Sequence, residues 1–160
     1  MRWTLRTLIA AIVIATALLC VTVPMVTHAQ RKGRVARCAA NLHSLSSAQE
    51  AYEAFYGGGL DEVESGSGYW LALTRHQPPL LDASTGVLQC PVRHQADRAT
   101  DYRGPARPWG GHYSDELVGA DCPGNHGPGR GGNIVSVYGE VVAVGEDHRL
   151  WRRAEDETQP

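Results

Sequence analysis

With 160 residues, 15 basic and 17 acidic side chains and a formal charge of −2, the chain has room for one small domain beside an extended segment. The charge is divided: residues 1–56 carry six basic and two acidic groups, residues 57–160 nine and fifteen. An acidic C-terminal part argues against nucleic acid as a partner, and the basic groups ahead of it suit anionic lipid headgroups beside a membrane span.

Residues 1–6 form a short basic leader with Arg2 and Arg6. Thr7 to Thr27 follows without a charge, 21 residues in all, and a bilayer-spanning helix needs about 20. Residues 7–27 are therefore expected to be the transmembrane half of a long helix, kinked and not stopped by Pro24, since spanning helices tolerate proline. Arg31, Lys32, Arg34 and Arg37 then make a basic collar. Residues 28–56 read as the amphipathic half of the same helix: Leu42, Leu45, Ala48, Tyr52 and Phe55 recur at helical spacing, with Ser44, Ser47, Gln49, Glu50 and Glu53 between them. Basic residues flank the span on both sides, so their count alone does not orient it. A rival reading takes the leader and apolar run as a signal peptide cut after Ala29, at Thr27-His28-Ala29, which would release a periplasmic or secreted binding module beginning at Gln30, with metal binding open. Cys20 follows Leu18-Leu19 and not a small residue, so it reads as an apolar residue of the span.

Residues 57–151 are expected to form a small loop-rich α+β head. The triple glycine Gly57-Gly58-Gly59 and the acidic stretch holding Asp61, Glu62 and Glu64 read as a solvated connector. Tyr69, Trp70, Leu71 and Leu73 predict a helical turn packed on the stalk, ended by Pro78-Pro79. Val87 to Pro91 reads as a short strand with a proline stop. From Thr100 to Arg130, Gly104-Pro105, Pro108, Gly110-Gly111, Pro123-Gly124 and Pro128-Gly129 predict a long irregular segment. Asn133 to Tyr138 and Glu140 to Val144 predict a hairpin around Gly139, with Trp151 over its face. Residues 152–160 read as a polar, frayed tail.

Trp3-Thr4-Leu5 opening the apolar run, Pro24, the Arg-rich turn, Cys38, Asn41-Leu42 and the aromatic close at Tyr52, Phe55 and Tyr56 resemble the N-terminal segment of type IV pilin-like proteins. The nearest likeness is to pseudopilin-like proteins of type II secretion with a prepilin-type N-terminus. More loosely, Cys90-Pro91, Asp101-Tyr102-Arg103-Gly104 and Asn125-His126-Gly127 to Gly131-Gly132-Asn133 resemble the end of that group's domain, where a histidine, nine residues and Asp-Gly precede the last strand. Here eleven residues separate His126 from Tyr138-Gly139, and Tyr138 stands in the aspartate's place. The resemblance implies a pilin-like α+β fold, with a long N-terminal helix on a small antiparallel sheet. It implies a bacterial inner-membrane protein with its N-terminus inside and its head in the periplasm or beyond, packed against like helices of an envelope assembly. The family's peptidase cuts after a glycine just before the aromatic, and a glutamate four residues later serves docking; here Arg2 precedes Trp3 and Thr7 takes the glutamate's place. These departures point to an anchored, unprocessed relative with weak or accessory incorporation.

Cys38, Cys90 and Cys122 lie outside the span. An oxidising compartment would favour a disulfide, with Cys38–Cys90 and Cys90–Cys122 both open and one thiol left over. Cys90-x-x-x-His94 and Cys122-x-x-x-His126 repeat one spacing and compose a conceivable zinc set, but the paired-cysteine knuckle of structural zinc is missing. By resemblance to calcium-holding pseudopilin domains, Asp115, Glu116 and Asp121 are a candidate calcium set; their spacing matches no calcium loop and reads as a solvated acidic loop. The expected state is thus free of cofactors. No nucleophile elbow, phosphate loop or His-Glu zinc helix occurs, so the chain reads as a non-enzyme. Gly127 to Gly132 reads as a turn before the hairpin, and His43, His76, His112 and His148 as surface residues.

Overall fold

The computed structural model describes residues 5–56, 65–93, 98–107 and 115–160. Arg2, Trp3, His94, His112 and most of the expected connector lie outside them. Two compact units divide at Gly33. The first holds the apolar part of helix α1, which as a whole runs Leu5–Tyr56 with Pro24 inside it. Its large apolar side chains are exposed, among them Leu8, Ile12, Ile14, Leu18 and Val23, and the helix is long and apolar enough to cross a membrane.

The second unit, residues 34–160, holds the rest of α1, helix α2 (Ser67–Arg75), strands β1 (Tyr102–Pro105), β2 (Leu117–Asp121), β3 (Gly132–Ser136) and β4 (Val141–Val144), helix α3 (Arg149–Glu157) and strand β5 (Thr158–Gln159). The strands form one antiparallel sheet in the order β4-β3-β2-β1-β5. A long N-terminal helix with a five-stranded open antiparallel sheet makes this an α+β fold that matches the pilin-like description.

Side chains on the two faces of the sheet divide the core, with the alternation along β2 interrupted by a register shift between Leu117 and Gly119. Tyr102, Val118 and Val135 meet Cys38, Leu42, Leu45 and Ala48 of α1 and Tyr69, Trp70 and Leu73 of α2. On the opposite face Leu117, Ala120, Ile134 and Val144 meet Trp151 and Ala154 of α3. Trp151 thus covers the hairpin as its position implied. The indole N–H of Trp70 donates to the Arg103 carbonyl at 2.9 Å, which fixes α2 to β1. Gly104 permits that approach, because a Cβ there would stand 1.9 Å from the Gly66 carbonyl oxygen.

The hairpin β3–β4 turns at Gly139, whose φ of 75° suits glycine, and a side chain there would meet the Glu50 carboxylate of α1. The stripe that seats α1 includes Leu42 and Leu45 as expected, with Tyr52 partly buried. Phe55, expected to extend it, is 79% exposed. At 100° per residue the face that holds Cys38, Leu42, Leu45, Gln49 and Tyr52 returns at position 56, and it is Tyr56 that stacks on Tyr52 and meets His76.

Three further expectations are corrected. Val87 to Pro91 is a series of turns, not a strand: the Leu88 carbonyl accepts from Asp101 N and Thr100 Oγ1, and Cys90 N donates to the Asp101 carboxylate, so no ladder partner is needed. The segment 100–130 contains β1 and β2, whose glycines and proline hide strands that neighbours on both sides stabilise. Residues 152–160 are ordered in α3 and β5. His148 caps α3 by accepting from Leu150 N, and the pair β1–β5 closes the sheet's edge.

Replacing Leu45 by alanine would empty the middle of the α1 seat and is expected to cost about 2–5 kcal/mol. Phe55→Ala should cost less than about 0.5 kcal/mol. Urea unfolding of the detergent-solubilised chain, followed by tryptophan fluorescence, measures both; equal losses would place the stripe wrongly.

Candidate functional site: a buried cysteine, histidine and carboxylate cluster

Four segments converge below the α1 seat. Cys38 comes from α1, Cys90 from the turns before β1, Asp121 from the end of β2 and His126 from the loop after it; all four are buried. The turns carrying Cys90 are held by its N–H to Asp101 Oδ2 at 2.8 Å. Asn41 Nδ2, one turn along α1 from Cys38, donates to the Gln89 carbonyl and to the Tyr102 hydroxyl, each at 3.0 Å. The loop with His126 is tied down by Asn125 Nδ2 and Cys122 N, both donating to the Asp101 carbonyl. Asp101 therefore serves both loops, one through its side chain and one through its backbone.

The two sulfurs of Cys38 and Cys90 lie 2.6 Å apart, and all four cysteines of the chain are unlinked. With His126 they bring three potential ligand atoms within 4.8 Å of one another. Two thiolates on one tetrahedral zinc, each about 2.3 Å from the metal, stand about 3.8 Å apart; this pair is too close to flank an ion. The zinc set read from the spacing also dissolves. Cys90 and His126 do meet, but their third partner is Cys38, while Cys122 lies outside the group and His94 outside the described residues. Cys122 is buried, and burial raises its thiol pKa.

The candidate calcium set disperses for a related reason. Asp115 is exposed and contacts Arg153, Glu116 is buried and bonded to Arg107, and Asp121 is wholly buried in β2. The expected solvated acidic loop is thus corrected for Glu116 and Asp121. Of the other expected motif residues, Gly132 opens β3 in close contact with Asp121 and Trp151, while Tyr138 is exposed in the hairpin turn and Gly139 lies against α1. His43 and His148 are exposed, whereas His76 is half-buried between Tyr52 and Tyr56.

Electrostatics separate the two thiols in their reduced form. The contact between the two sulfurs, in which either could be the donor, pushes the Cys38 pKa up together with burial. The same contact, joined by His126, pulls the Cys90 pKa down. Asp121 Oδ2 accepts from Asn133 N at 2.7 Å and Nδ2 at 2.8 Å and lies 3.2 Å from His126 Nε2. Burial outweighs these partners and raises its carboxyl to about 6. Arg103 runs beneath the same region, donating to the carbonyls of Asp121 and Ala154 and lying over the Trp151 ring; burial lowers its pKa.

Cys38 and Cys90 were candidates by residue type alone. Asp121 and Asn133 had no sequence signal as a bonded pair, because their meeting depends on the antiparallel pairing of β2 and β3. No family model matches the chain, and no curated protein or solved structure matches it.

The Asp121 carboxyl holds its proton in the folded chain to about pH 6, against about 3.9 for an exposed aspartate. Its contribution to stability is therefore full below pH 4 and lost as pH rises through 6. Asp121→Asn should remove that dependence, so that between pH 4 and pH 7 the variant gains on the wild type by on the order of 2 kcal/mol. Parallel stability curves for the two proteins would refute the assignment.

Proposed function

We propose that the chain is a membrane-anchored, pilin-like structural subunit, or accessory protein, of a bacterial type II secretion or type IV pilus-like envelope assembly. It has no catalytic role in this reading. The observation that carries it is α1: one helix whose early part exposes an unbroken apolar surface and whose later part is a buried stripe in an antiparallel sheet domain. An apolar surface of that extent is rarely left to water. Lipid covers it in a membrane, and like helices cover it in an assembly. The basic collar of Arg31, Lys32, Arg34 and Arg37 suits the headgroups at one end of the span.

The resemblance of the N-terminal segment to prepilin-type proteins supports the same reading and implies a head in the periplasm or outside. Thr7, where a docking carboxylate is expected, makes incorporation weak or accessory. The second reading is a periplasmic or secreted module released after Ala29. It draws support from residues 34–160, which hold both apolar clusters within one compact unit.

Intact mass of the protein from carbonate-washed membranes of its native host separates the two. The full chain, or the chain without Met1 and Arg2, is the expected result; a soluble product beginning at Gln30 would replace the anchored subunit with the released module. Thr7→Glu is expected to increase the fraction that co-purifies with assembled subunits, and an unchanged fraction would remove the accessory role.

A further inference from the structure

We infer that Cys38 and Cys90 are an oxidisable pair that closes to a disulfide once the head reaches an oxidising compartment, bonding α1 to the turns before β1. The inference rests on the proposed function for its compartment only. Its geometry is independent of it.

Three observations converge. The sulfurs are nearer than ordinary van der Waals contact allows for two separate thiols, and nearer than a shared metal would hold them. Both residues are buried in one apolar cluster with Leu42, Leu88 and Tyr102, where a neutral disulfide is better accommodated than a thiolate. Cys122 is not part of the group, and Cys20 lies in the apolar part of α1, so among the described residues Cys38 and Cys90 form the sole sulfur pair in contact.

The two sulfurs are not equivalent in how they react. Cys90 lines a cavity with Arg37, Asn41, Gln89 and Pro91, whereas Cys38 does not. The contact with Cys38, and after it a hydrogen bond with His126, favour the Cys90 thiolate against the cost of burial. Cys90 therefore attacks the incoming disulfide of a dithiol–disulfide donor, expelling one donor thiolate and leaving a mixed disulfide. Cys38 then attacks the Cys90 sulfur, and its proton leaves with the second donor sulfur, which departs as a thiol. Two protein S–H bonds and the donor's S–S bond are exchanged for one protein S–S bond and a reduced donor.

The test uses the full chain in detergent, reduced and then equilibrated with mixtures of reduced and oxidised glutathione. It is quenched in acid and alkylated under denaturing conditions. Two alkyl adducts, on Cys20 and Cys122, with Cys38 and Cys90 peptides linked, are expected at oxidising ratios; four adducts are expected after reduction. In the same buffers Cys38→Ser should carry glutathione on Cys90, and Cys90→Ser should carry none on Cys38. Four adducts at every ratio, or a link through Cys122, would overturn the pairing. So would four adducts together with one equivalent of zinc in the purified protein. Protein alkylated at harvest from native membranes should show two adducts; four in the cell, with the pair still closing in glutathione, would overturn the head's placement in an oxidising compartment and leave the pairing standing.

Discussion

The seating of α1 in the head is the contact on which the other elements depend. Strands of two to five residues, such as these, are too short to hold a sheet together by backbone bonds alone. They need a covered face. Leu42 and Leu45 supply it, meeting Val118 and Val135 with the rings of Trp70 and Tyr102 filling the space between. Burying each of these side chains stabilises the fold by about 1.5–3 kcal/mol, so the cluster outweighs any single hydrogen bond of the sheet. Trp70 couples that packing to register, because its indole bond to the Arg103 carbonyl fixes β1 beside α2. Gly139 does the same for the hairpin by letting the turn lie on Ser46 and Glu50.

The other face of the sheet is held more by polar specification. Arg103 lies under Trp151 with its guanidinium donating to carbonyls of β2 and α3, so one buried cation joins the sheet to α3. Buried polar groups cost stability unless they are bonded. Here they choose the route of the chain where no regular element does. Asp101 accepts from Cys90 on one side and from Cys122 and Asn125 on the other, which fixes the two loops that bring Cys90 and His126 together. Asp121, with two donors from Asn133 and a histidine beside it, still bears the cost of burial, and its raised pKa is the measure of that cost.

Much of this was legible in the chain because helical period and uncharged length are local properties. The 21 uncharged residues, the Leu42–Leu45 stripe, the aromatic turn at Tyr69–Trp70 and the hairpin at Gly139 all show in windows of a few residues. Phe55 failed for a reason of phase: a stripe extrapolated by i+3 and i+4 steps has two continuations, and the face in line with Tyr52 continues at Tyr56, which is itself half exposed and meets Tyr52 and His76. Strands β1 and β2 were hidden because Tyr102-Arg103-Gly104-Pro105 and Leu117 to Asp121 carry turn-forming residues whose role is close approach, at Gly104 to Gly66 and at Gly119 to Trp70. α3 did leave a signal in Leu150, Trp151 and Ala154, masked by the charges around them. Of the cluster, Cys38–Cys90 was one of two cysteine pairings left open, while the approach of Asp121 and His126 to it was not visible. Cys38 and Cys90 stand 52 positions apart, and their meeting follows from the seat of the helix.

That position has a mechanical meaning. Cys38 is the first buried residue of α1, where the helix enters the core; Leu42, Leu45 and Gln49 follow it inward. Within residues 34–160, a packed stripe loaded at its Cys38 end yields from that end first. Apolar contacts resist such peeling one residue at a time. A covalent bond at the first position removes that starting point, so the residues behind it can leave the sheet only together.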